Sequence, residues 1–523
     1  MDHPGLLAVR PDALSRDIAV GRIVLVLLIG AALLPVLLVH IPAMVDYPNH
    51  LARMYLLSSS GTAVANPFYR VAWGLYPDLA MDLVIPQIAR LTGVETAARI
   101  FLLLSQVLIL SGAMGIEWVV KGRVQLSGFA AVMFLYCLPF AWGFLNFEMA
   151  LGVALVGIAA MFAIEERPWA LRLAVHSLFV VVVFVCHFFA LGLYGFVLGW
   201  HELWRAWDRH ASTVETARRL LLLAIPAIIV LVAMMSTGGT IGDPRMPWRW
   251  HLGFKPLWIF SILNGYVLSV SWVSVVVLAG WIVLAARRGI LRFGPGGLWM
   301  TAGLTLLYVA VPAQLFNASF VDQRVIVAAG FILPAFLSLS LPNRRWLLAS
   351  LACIGCVIIA NLAVTYTVWL SYRADYAAMI HSFDKIGTRP LVLVAESGKA
   401  EDPPMHHLTE YPMYHAATLA VHYVDAFVPD LFTGVGKQPI RARAAVRRLD
   451  IPEGGPYPLA DLVAIAQGKP PAGTPEFVRS WDRDFNYLYV IGPRRANPLP
   501  NLLEEIDRGR RFVLYRIRRP SIR

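Results

Sequence analysis

The 523-residue sequence is poor in charged residues and in cysteine. Only 15% of its residues are Asp, Glu, Lys or Arg, whereas a soluble globular chain carries about 25%. This shortage excludes an ordinary cytosolic enzyme. The four cysteines all lie within apolar runs, so the sequence predicts no disulfide framework. The 26 Phe, 18 Tyr and 16 Trp residues exclude a disordered or collagen-like chain.

Hydrophobic residues make up 58% of the chain and lie in long blocks, which indicates a polytopic membrane protein. A membrane-spanning helix needs about 20 apolar residues, and fewer where it packs inside a bundle. By this criterion the sequence predicts about eleven transmembrane helices. They lie near residues 20–42, 97–119, 126–141, 146–164, 170–186, 188–204, 218–236, 270–287, 297–313, 325–341 and 346–369. The stretch at 170–204 is too long for one crossing, so we expect a hairpin near His187.

Basic residues predict the orientation of these helices. If the N-terminus is cytoplasmic, every second loop is rich in Arg and Lys while the alternate loops hold few, which is a positive-inside pattern. The basic cytoplasmic positions are then Arg10, Arg16, Lys121, Arg123, Arg167, Arg172, Arg205, Arg209, Arg218, Arg219, Arg287, Arg288, Arg292, Arg344 and Arg345. The net charge of +12 is therefore a topology signal and gives no evidence for a nucleic acid partner.

The composition changes near residue 371, and residues 1–370 form the predicted transmembrane domain. Its long first external loop, 43–96, contains two amphipathic pieces at 49–58 and 79–92. Both pieces suit helices that lie at the membrane surface. Counting the second piece as a span is the alternative, and it would invert every later loop against the basic residues.

Residues 371–523 have the composition of a soluble domain, with proline pairs and apolar strand candidates. The segments 391–395, 487–491 and 511–517 are predicted strands, and 502–508 is a predicted short helix. We therefore expect a small α/β domain outside the cytoplasm, anchored by the last span. The histidines of this tail match no tetrahedral metal spacing; they are His406, His407, His415 and His422.

The segment directly after the first predicted span contains Asp46, His50 and Arg53 at positions i, i+4 and i+7. If a helix begins around Pro48, His50 and Arg53 share one face and Asp46 lies at its N-terminal edge. A carboxylate beside an imidazole at a membrane boundary suits a general base, or a metal site formed by Asp46 and His50. The alternative is a helix-capping aspartate with the two basic residues as interface anchors.

Further polar residues lie at the outer ends of later predicted spans. Glu148 begins one span, where an acid is costly unless it is used or paired, although it also suits the helix dipole. His187 lies at an outer turn, where it is either a site residue or a packing residue. Gln323 and Arg324 open a late span, where an arginine can bind a phosphate or serve as an ordinary interface anchor. Arg245, in a basic and aromatic loop, suits a headgroup or sugar-phosphate contact.

Three segments resemble the GT-C class of polytopic glycosyltransferases. Asp46 occupies the position of the acid that the class carries in its first external loop. Residues 76–79 followed by 88–100 are similar to the segment that succeeds the acid in the class. Residues 320–325 with Pro334 resemble the class's "D.RY…P" entry to a late span. The final soluble domain is also common in the class.

The sequence departs from the class pattern at three points. Asp46 is followed by Tyr47, where members often carry a second acid. Arg324 is followed by Val325 where the class has tyrosine. The usual Pro-Pro-Leu is Pro-Asp-Leu at 77–79.

The resemblance implies an inverting glycosyltransferase that takes a sugar from a polyprenyl-phosphate donor. It would act at the periplasmic face of a bacterial inner membrane, on a glycan, lipid or protein of the cell envelope. Asp46 would be the base, with Glu148 as a second acid, and Arg324 would bind the donor phosphate. The further substrate-binding residues would be His50, Arg53, His187, Gln323 and Arg245. A divalent cation, Mg²⁺ or Mn²⁺, would be held by Asp46 and His50 if the reaction uses one.

Two other functions stay open from the sequence. A transporter or flippase of lipid-linked solutes would favour ionisable residues in the middle of spans and symmetry between halves, and the sequence has little of either. A non-catalytic scaffold would bind an envelope partner through its outer domain. Substitutions of Asp46 and Arg324 would then have no effect.

Overall fold

The computed structural model describes residues 11–63, 65–237, 248–315, 318–397, 411–492 and 496–518. The helices of its first part are α1 Pro11–Leu38, α2 Tyr47–Ser59, α3 Ala80–Thr92, α4 Val94–Lys121, α5 Ser127–Phe134, α6 Leu138–Trp142, α7 Leu145–Ala163, α8 Trp169–Cys186, α9 Phe188–Asp208 and α10 Thr213–Ser236. Then follow α11 Lys255–Ser261, α12 Leu268–Arg287, α13 Gly297–Ala310, α14 Val321–Ile332 and α15 Arg344–Ser382. The remaining helices are α16 Ala420–Val424, α17 Leu459–Ala466, α18 Glu476–Arg479 and α19 Trp481–Asp484.

Seven of the described helices are long and apolar enough to cross a membrane. They lie at Ala19–Leu38, Val94–Lys121, Leu145–Ala163, Trp169–Cys186, Thr213–Ser236, Leu268–Arg287 and Arg344–Lys385. Shorter apolar helices occupy Ser127–Trp142 and Gly297–Ala310. The chain is a multi-pass helical membrane protein, as predicted, whereas the number of about eleven spans stays a prediction. The hairpin expected near His187 is confirmed, because α8 ends at Cys186 and α9 begins at Phe188.

Helices α4 and α7 lie so close together at two positions that only glycine fits there. A Cβ atom on Gly112 would lie 2.5 Å from the Leu155 Cβ, and one on Gly152 would lie 2.7 Å from the Leu108 Cβ. Small residues at a helix interface let two backbones approach and gain van der Waals contact in a membrane. This pair forms the centre of the bundle, and α7 carries the turn that leads into the cavity described below.

Both amphipathic pieces of the first loop are helices, as predicted: α2 and α3. Most of α2 is buried, including Tyr47, Leu51 and Met54, so it packs into the protein on several sides. Helix α15 runs for 39 residues, about 58 Å, from the apolar bundle into the C-terminal region. It crosses residue 371 without a break, and the division into 1–370 and 371–523 stays a prediction.

The C-terminal region contains a mixed five-stranded sheet in the order β6-β4-β7-β9-β8. Its strands are β4 Val392–Glu396, β6 Tyr457–Pro458, β7 Tyr487–Ile491, β8 Leu503–Arg508 and β9 Phe512–Ile517. Strand β4 pairs in parallel with β6 and β7, whereas β9 pairs antiparallel with β7 and β8. The three predicted strands are confirmed. Short strands elsewhere are β1 Tyr69–Val71, β2 Leu291–Phe293, β3 Leu337–Leu339 and β5 Ile440–Ala442.

The prediction of a short helix at 502–508 is wrong, because Leu503–Arg508 is strand β8. It forms the edge of the sheet beside the apolar β9, with an irregularity in register between Glu505 and Asp507. The Leu and Glu residues that favour a helix in isolation are overridden by this pairing, since tertiary contacts outweigh intrinsic propensity.

The C-terminal region is bonded directly to the first loop. Strands β1 and β5 pair antiparallel, with Tyr69 opposite Ala442 and Val71 opposite Ile440. The side chain of Asn49 on α2 donates to the Asp430 carbonyl at 2.8 Å and accepts from the Phe432 backbone N–H at 3.0 Å. The loop that contains Asp46 is therefore held between the helices and the C-terminal region.

Replacing Asn49 with leucine should destabilise this junction. The variant leaves one carbonyl and one N–H of the 430–432 segment without their partner, and a buried unpaired group costs about 1–3 kcal/mol. We expect a lower midpoint in thermal unfolding of the detergent-purified protein. Gln467→Leu, at an exposed amide, is the control. An N49L midpoint equal to that of the control would show that the Asn49 contacts contribute nothing.

Candidate active site

A cavity of about 510 Å³ lies where one end of the helices meets the C-terminal region. The helical part contributes the segment before α2, the loop before α3, the α6–α7 and α8–α9 turns and the start of α14. The C-terminal region contributes residues 414–415, 432, 436–438 and 452–455. Its ionisable lining residues are Asp46, His50, Asp78, His187, Arg324, His415, Lys437 and Glu453. The cavity therefore contains both a candidate base and candidate anion ligands.

Backbone hydrogen bonds fix Asp46 against the α6–α7 turn. The Val45 N–H donates to the Ala141 carbonyl at 3.2 Å, and the Asp46 N–H donates to the Trp142 carbonyl at 3.0 Å. In the described structure the Asp46 side chain does not cap α2, although the residue occupies the N-cap position. The carboxylate lies instead at the cavity, 3.7 Å from the Nε2 atom of His415. The capping interpretation of Asp46 therefore does not describe this geometry.

Gly143 is required next to Asp46 for two reasons. Its φ angle is +95°, in the left-handed region that residues with a side chain rarely adopt. A Cβ atom there would also lie 3.1 Å from the Asp46 Cβ. The Gly143 carbonyl accepts a hydrogen bond from His50 Nε2 at 3.1 Å, so the same turn holds both residues of the first loop.

His50 lies at the cavity in its neutral form. Burial, the largest cause, and the charge of Arg53 lower the pKa of His50 well below its usual value. Its Nε2–H donates to Gly143, which leaves Nδ1 as an acceptor. Binding of a phosphate by His50 stays a prediction, and it would require the hydrogen bond to Gly143 to break.

The guanidinium of Arg324 is surrounded by aromatic rings at the start of α14. Its central carbon lies 4.7, 5.2 and 5.4 Å from the ring centres of Phe144, Phe147 and Phe189. Aromatic faces attract a cation and exclude water from it, which strengthens its attraction for an anion. Its Nη1 atom lies 3.0 Å from His187 Nε2, and its Nε atom has no hydrogen-bond partner among the described residues.

A buried ion pair holds the start of α14 in place. Lys255 on α11 donates to Asp322 at 3.1 Å and to the carbonyls of Tyr308 and Val311 at 2.7 and 2.8 Å. Both charged side chains are almost completely buried, and each has several partners. Since Asp322 is two residues before Arg324, this contact fixes where the guanidinium enters the cavity.

Asp78 lines the cavity although the sequence did not identify it as a site residue. Its Oδ1 atom lies 3.9 Å from His187 Nε2, and its backbone carbonyl accepts from Asn146 Nδ2 at 2.7 Å. Burial raises the pKa of Asp78 to about 7, against the opposing charges of Arg53 and Arg324. The available signal was its position in the 76–79 segment, where it replaces the second proline of the class pattern.

Three of the predicted residues are not among the described residues that line the cavity. Arg53 makes a buried ion pair with Asp82, with atoms 3.1 and 3.2 Å apart. Glu148 is buried on α7 with Cys137 Sγ 3.8 Å from its carboxylate. Gln323 is buried, and neither atom of its amide has a hydrogen-bond partner in the described part of the chain. Their roles in substrate binding or catalysis stay predictions.

Arg245 lies outside the residues that the structure describes, as do His406 and His407. Within the described ranges no group of three or more His, Cys, Asp or Glu side chains could hold a metal ion. The use of a divalent cation by Asp46 and His50 is untested and stays a prediction.

The chain is similar to the crystal structures of ArnT from Cupriavidus metallidurans, in the apo state and bound to undecaprenyl phosphate. Both have a TM-score of 0.50 and 13% identity; each covers 96% of this chain and 97% or 98% of the other. The chain has the polytopic GT-C fold. No protein-family model and no curated protein sequence matches it.

A substitution of Gly143 by alanine should destabilise the site. The left-handed backbone costs an alanine about 1–2 kcal/mol, and the new Cβ atom presses on Asp46. We expect a lower thermal midpoint for this variant in detergent. Gly192→Ala is the matched control, because nothing lies within 4 Å of a Cβ atom there. Equal midpoints for the two variants would contradict the account of this turn.

Asp78→Asn should change the pH dependence of stability. At pH 4, Asp78 is protonated in the folded protein and in about half of the unfolded chains, so the substitution has little effect. Above pH 7 the folded protein holds an ionised Asp78 in the cavity, where desolvation raises the pKa of this carboxylate to about 7 and its ionised form is disfavoured. We therefore expect D78N to unfold at a higher temperature than the parent at pH 8.5 and at nearly the same temperature at pH 4.

The control for this experiment is Asp384→Asn, at an exposed carboxylate. Its difference from the parent should not grow between pH 4 and pH 8.5. A difference between D78N and the parent that does not grow between pH 4 and pH 8.5 would contradict the raised pKa of Asp78.

Proposed function

We propose that the protein is a membrane glycosyltransferase that transfers a sugar from a polyprenyl-phosphate donor to a cell-envelope acceptor. The observation that carries the proposal is that a carboxylate, Asp46, and a buried cation, Arg324, line one cavity at the end of membrane helices. The ArnT structure bound to undecaprenyl phosphate supports a polyprenyl-phosphate ligand in this fold.

The pair of His187 and Arg324 is suited to an anion. The Nδ1 atom of His187 accepts the Phe189 backbone N–H at 3.2 Å, as the N-cap of α9. A neutral imidazole accepts at one nitrogen only, so Nε2 carries the proton. Two donors, this N–H and the Arg324 Nη1 group 3.0 Å away, then lie side by side, and an acceptor next to both can receive a hydrogen bond from each. A phosphate oxygen satisfies both.

The protonation of Asp78 suits a bound phosphate as well. Because its pKa is raised to about 7, this side chain can take up or release a proton near neutral pH. A protonated carboxyl group beside His187 does not repel the phosphate and can donate to it. The charge of the site therefore adapts to the donor and to the released polyprenyl phosphate.

The reaction follows from these positions. An acceptor hydroxyl oxygen attacks the anomeric carbon while the bond from this carbon to the phosphate oxygen breaks, and the electron pair leaves with the phosphate. Asp46 takes the proton of the hydroxyl, and Arg324 stabilises the charge that develops on the leaving phosphate. Attack opposite to the leaving group inverts the anomeric configuration. A divalent cation held by Asp46 and His50 is a further part of the proposal, and no step depends on it.

The proposed location is a bacterial inner membrane, with the N-terminus in the cytoplasm and the cavity at the periplasmic face. The support is the distribution of basic residues between alternate loops. Polyprenyl-phosphate sugars that have been translocated reach the cavity from the lipid, and glycan, lipid or protein acceptors reach it from the periplasm.

The test uses purified protein in vesicles with labelled polyprenyl-phosphate sugars and an envelope extract as the acceptor source. Asp46→Asn should lower transfer about 10²–10⁴-fold, because a general base contributes this much, while undecaprenyl phosphate still binds. Arg324→Met should weaken binding of undecaprenyl phosphate about 10–100-fold, because a charged hydrogen bond contributes about 1.5–3 kcal/mol.

Arg373→Met and Asp384→Asn, at exposed positions, are the matched controls and should behave like the parent. Unchanged transfer by D46N would remove Asp46 from the mechanism. Movement of a lipid-linked sugar across the vesicle membrane without transfer would favour the flippase alternative. Loss of function only on removal of the C-terminal region would favour the scaffold.

A further inference from the structure

We infer that Asp46, His415 and Asp430 form a proton relay, to which the C-terminal region contributes the last two residues. Asp46 takes the proton from the acceptor, and His415 then receives this proton from Asp46. Asp430 orients His415. The inference rests on the proposed function and adds residues from the C-terminal region to its chemistry. The observations are the order of the three side chains, their burial and the single cavity on which they converge.

The imidazole of His415 lies between two carboxylates. Its Nε2 atom is 3.7 Å from Asp46 Oδ1, and its Nδ1 atom is 3.9 Å from Asp430 Oδ2. These are ion-pair distances, and such contacts often shorten to hydrogen bonds when a substrate closes an active site. Each ring nitrogen therefore faces a different acid.

Asp430 is an unusual residue for its surroundings. Its side chain is 1% exposed, and neither carboxylate oxygen has a hydrogen-bond partner among the described residues. A buried carboxylate without partners costs several kcal/mol, so a purely structural role gives no reason for it. Its backbone carbonyl accepts a hydrogen bond from Asn49, which holds the backbone of Asp430 against the first loop.

The ring of His415 is also held in orientation. It packs edge-on against Tyr414 and Phe432, with ring centres 4.9 and 5.1 Å away. Its backbone carbonyl accepts two hydrogen bonds from Thr418, at 3.0 and 2.7 Å. The residue lines the cavity as part of the C-terminal region, which faces the periplasm in the proposed orientation.

This arrangement gives a direction to proton transfer. An ionised Asp430 accepts only, so it keeps the ring proton on Nδ1 and leaves the Nε2 lone pair directed at Asp46. After Asp46 has taken the acceptor's proton, the O–H bond of Asp46 breaks and an N–H bond forms at His415 Nε2. The imidazolium lies between the carboxylates of Asp46 and Asp430. His415 then releases its Nε2 proton to water in the cavity, so that both Asp46 and His415 are ready for the next turnover. The same logic orients the histidine in serine hydrolases.

The kinetic test uses His415→Ala and Asp430→Asn in the vesicle assay, with His381→Gln, at an exposed histidine, as the control. H415A should lower kcat on the order of 10²-fold at an unchanged KM for the polyprenyl-phosphate sugar. Added imidazole should restore part of the kcat of H415A and none of that of D46N. A kcat within twofold of the parent, or a loss that imidazole does not restore, overturns the relay.

A second measurement does not depend on activity. The protein is labelled with ¹⁵N-histidine, and the His415 ring signals are assigned by their loss in His415→Gln. The relay predicts that neutral His415 is the Nδ1–H tautomer in the parent and that this tautomer no longer predominates in D430N. An unchanged tautomer in D430N overturns the relay even if transfer is observed. A parent protein that transfers no sugar overturns the proposed function, while the tautomer still decides whether Asp430 orients His415.

Discussion

The guanidinium of Arg324 is buried among three phenylalanine rings at the point where helices α8, α9 and α14 meet. A charge removed from water costs several kcal/mol unless neighbouring groups compensate it. Asp78 and Glu148 both act electrostatically on this guanidinium, and a role of Glu148 in the reaction stays a prediction. The Lys255–Asp322 pair fixes the start of α14. The proposed phosphate site depends on this one cation.

The cavity is assembled from parts that lie far apart in the chain. The helical part supplies Arg324 and His187, whereas the first loop supplies Asp46 and the C-terminal region supplies residues such as His415. Two sets of hydrogen bonds join these parts: those of the 45–46 backbone to the α6–α7 turn, and those of the Asn49 side chain to the backbone of residues 430–432. The C-terminal region therefore completes the site, in addition to covering it. This explains why a long helix, α15, connects the bundle to a sheet without a flexible linker.

Much of this organisation could be predicted from the sequence. Apolar blocks and basic loops indicated the helical membrane part. Asp46 and His187 stood out because they are polar residues at the ends of predicted spans. Asp78 and Asp430 did not stand out, because their significance depends on contacts with distant residues. His415 was considered only among the tail histidines, whose spacing matches no tetrahedral metal site. The orientation of Glu148 depends on how α7 turns within the bundle, which an almost entirely apolar helix does not encode in its pattern. Strand β8 depends on its neighbour β9.

The central claim is that the buried cation binds the phosphate of a lipid-linked donor. A cryo-electron microscopy structure of the protein in lipid nanodiscs with added undecaprenyl phosphate tests it most directly. The account predicts phosphate oxygens within hydrogen-bond distance, about 3 Å, of Arg324 and of His187 Nε2, with Asp46 facing the same cavity. A phosphate bound elsewhere on the protein, with Arg324 still enclosed only by its aromatic neighbours, would contradict the account.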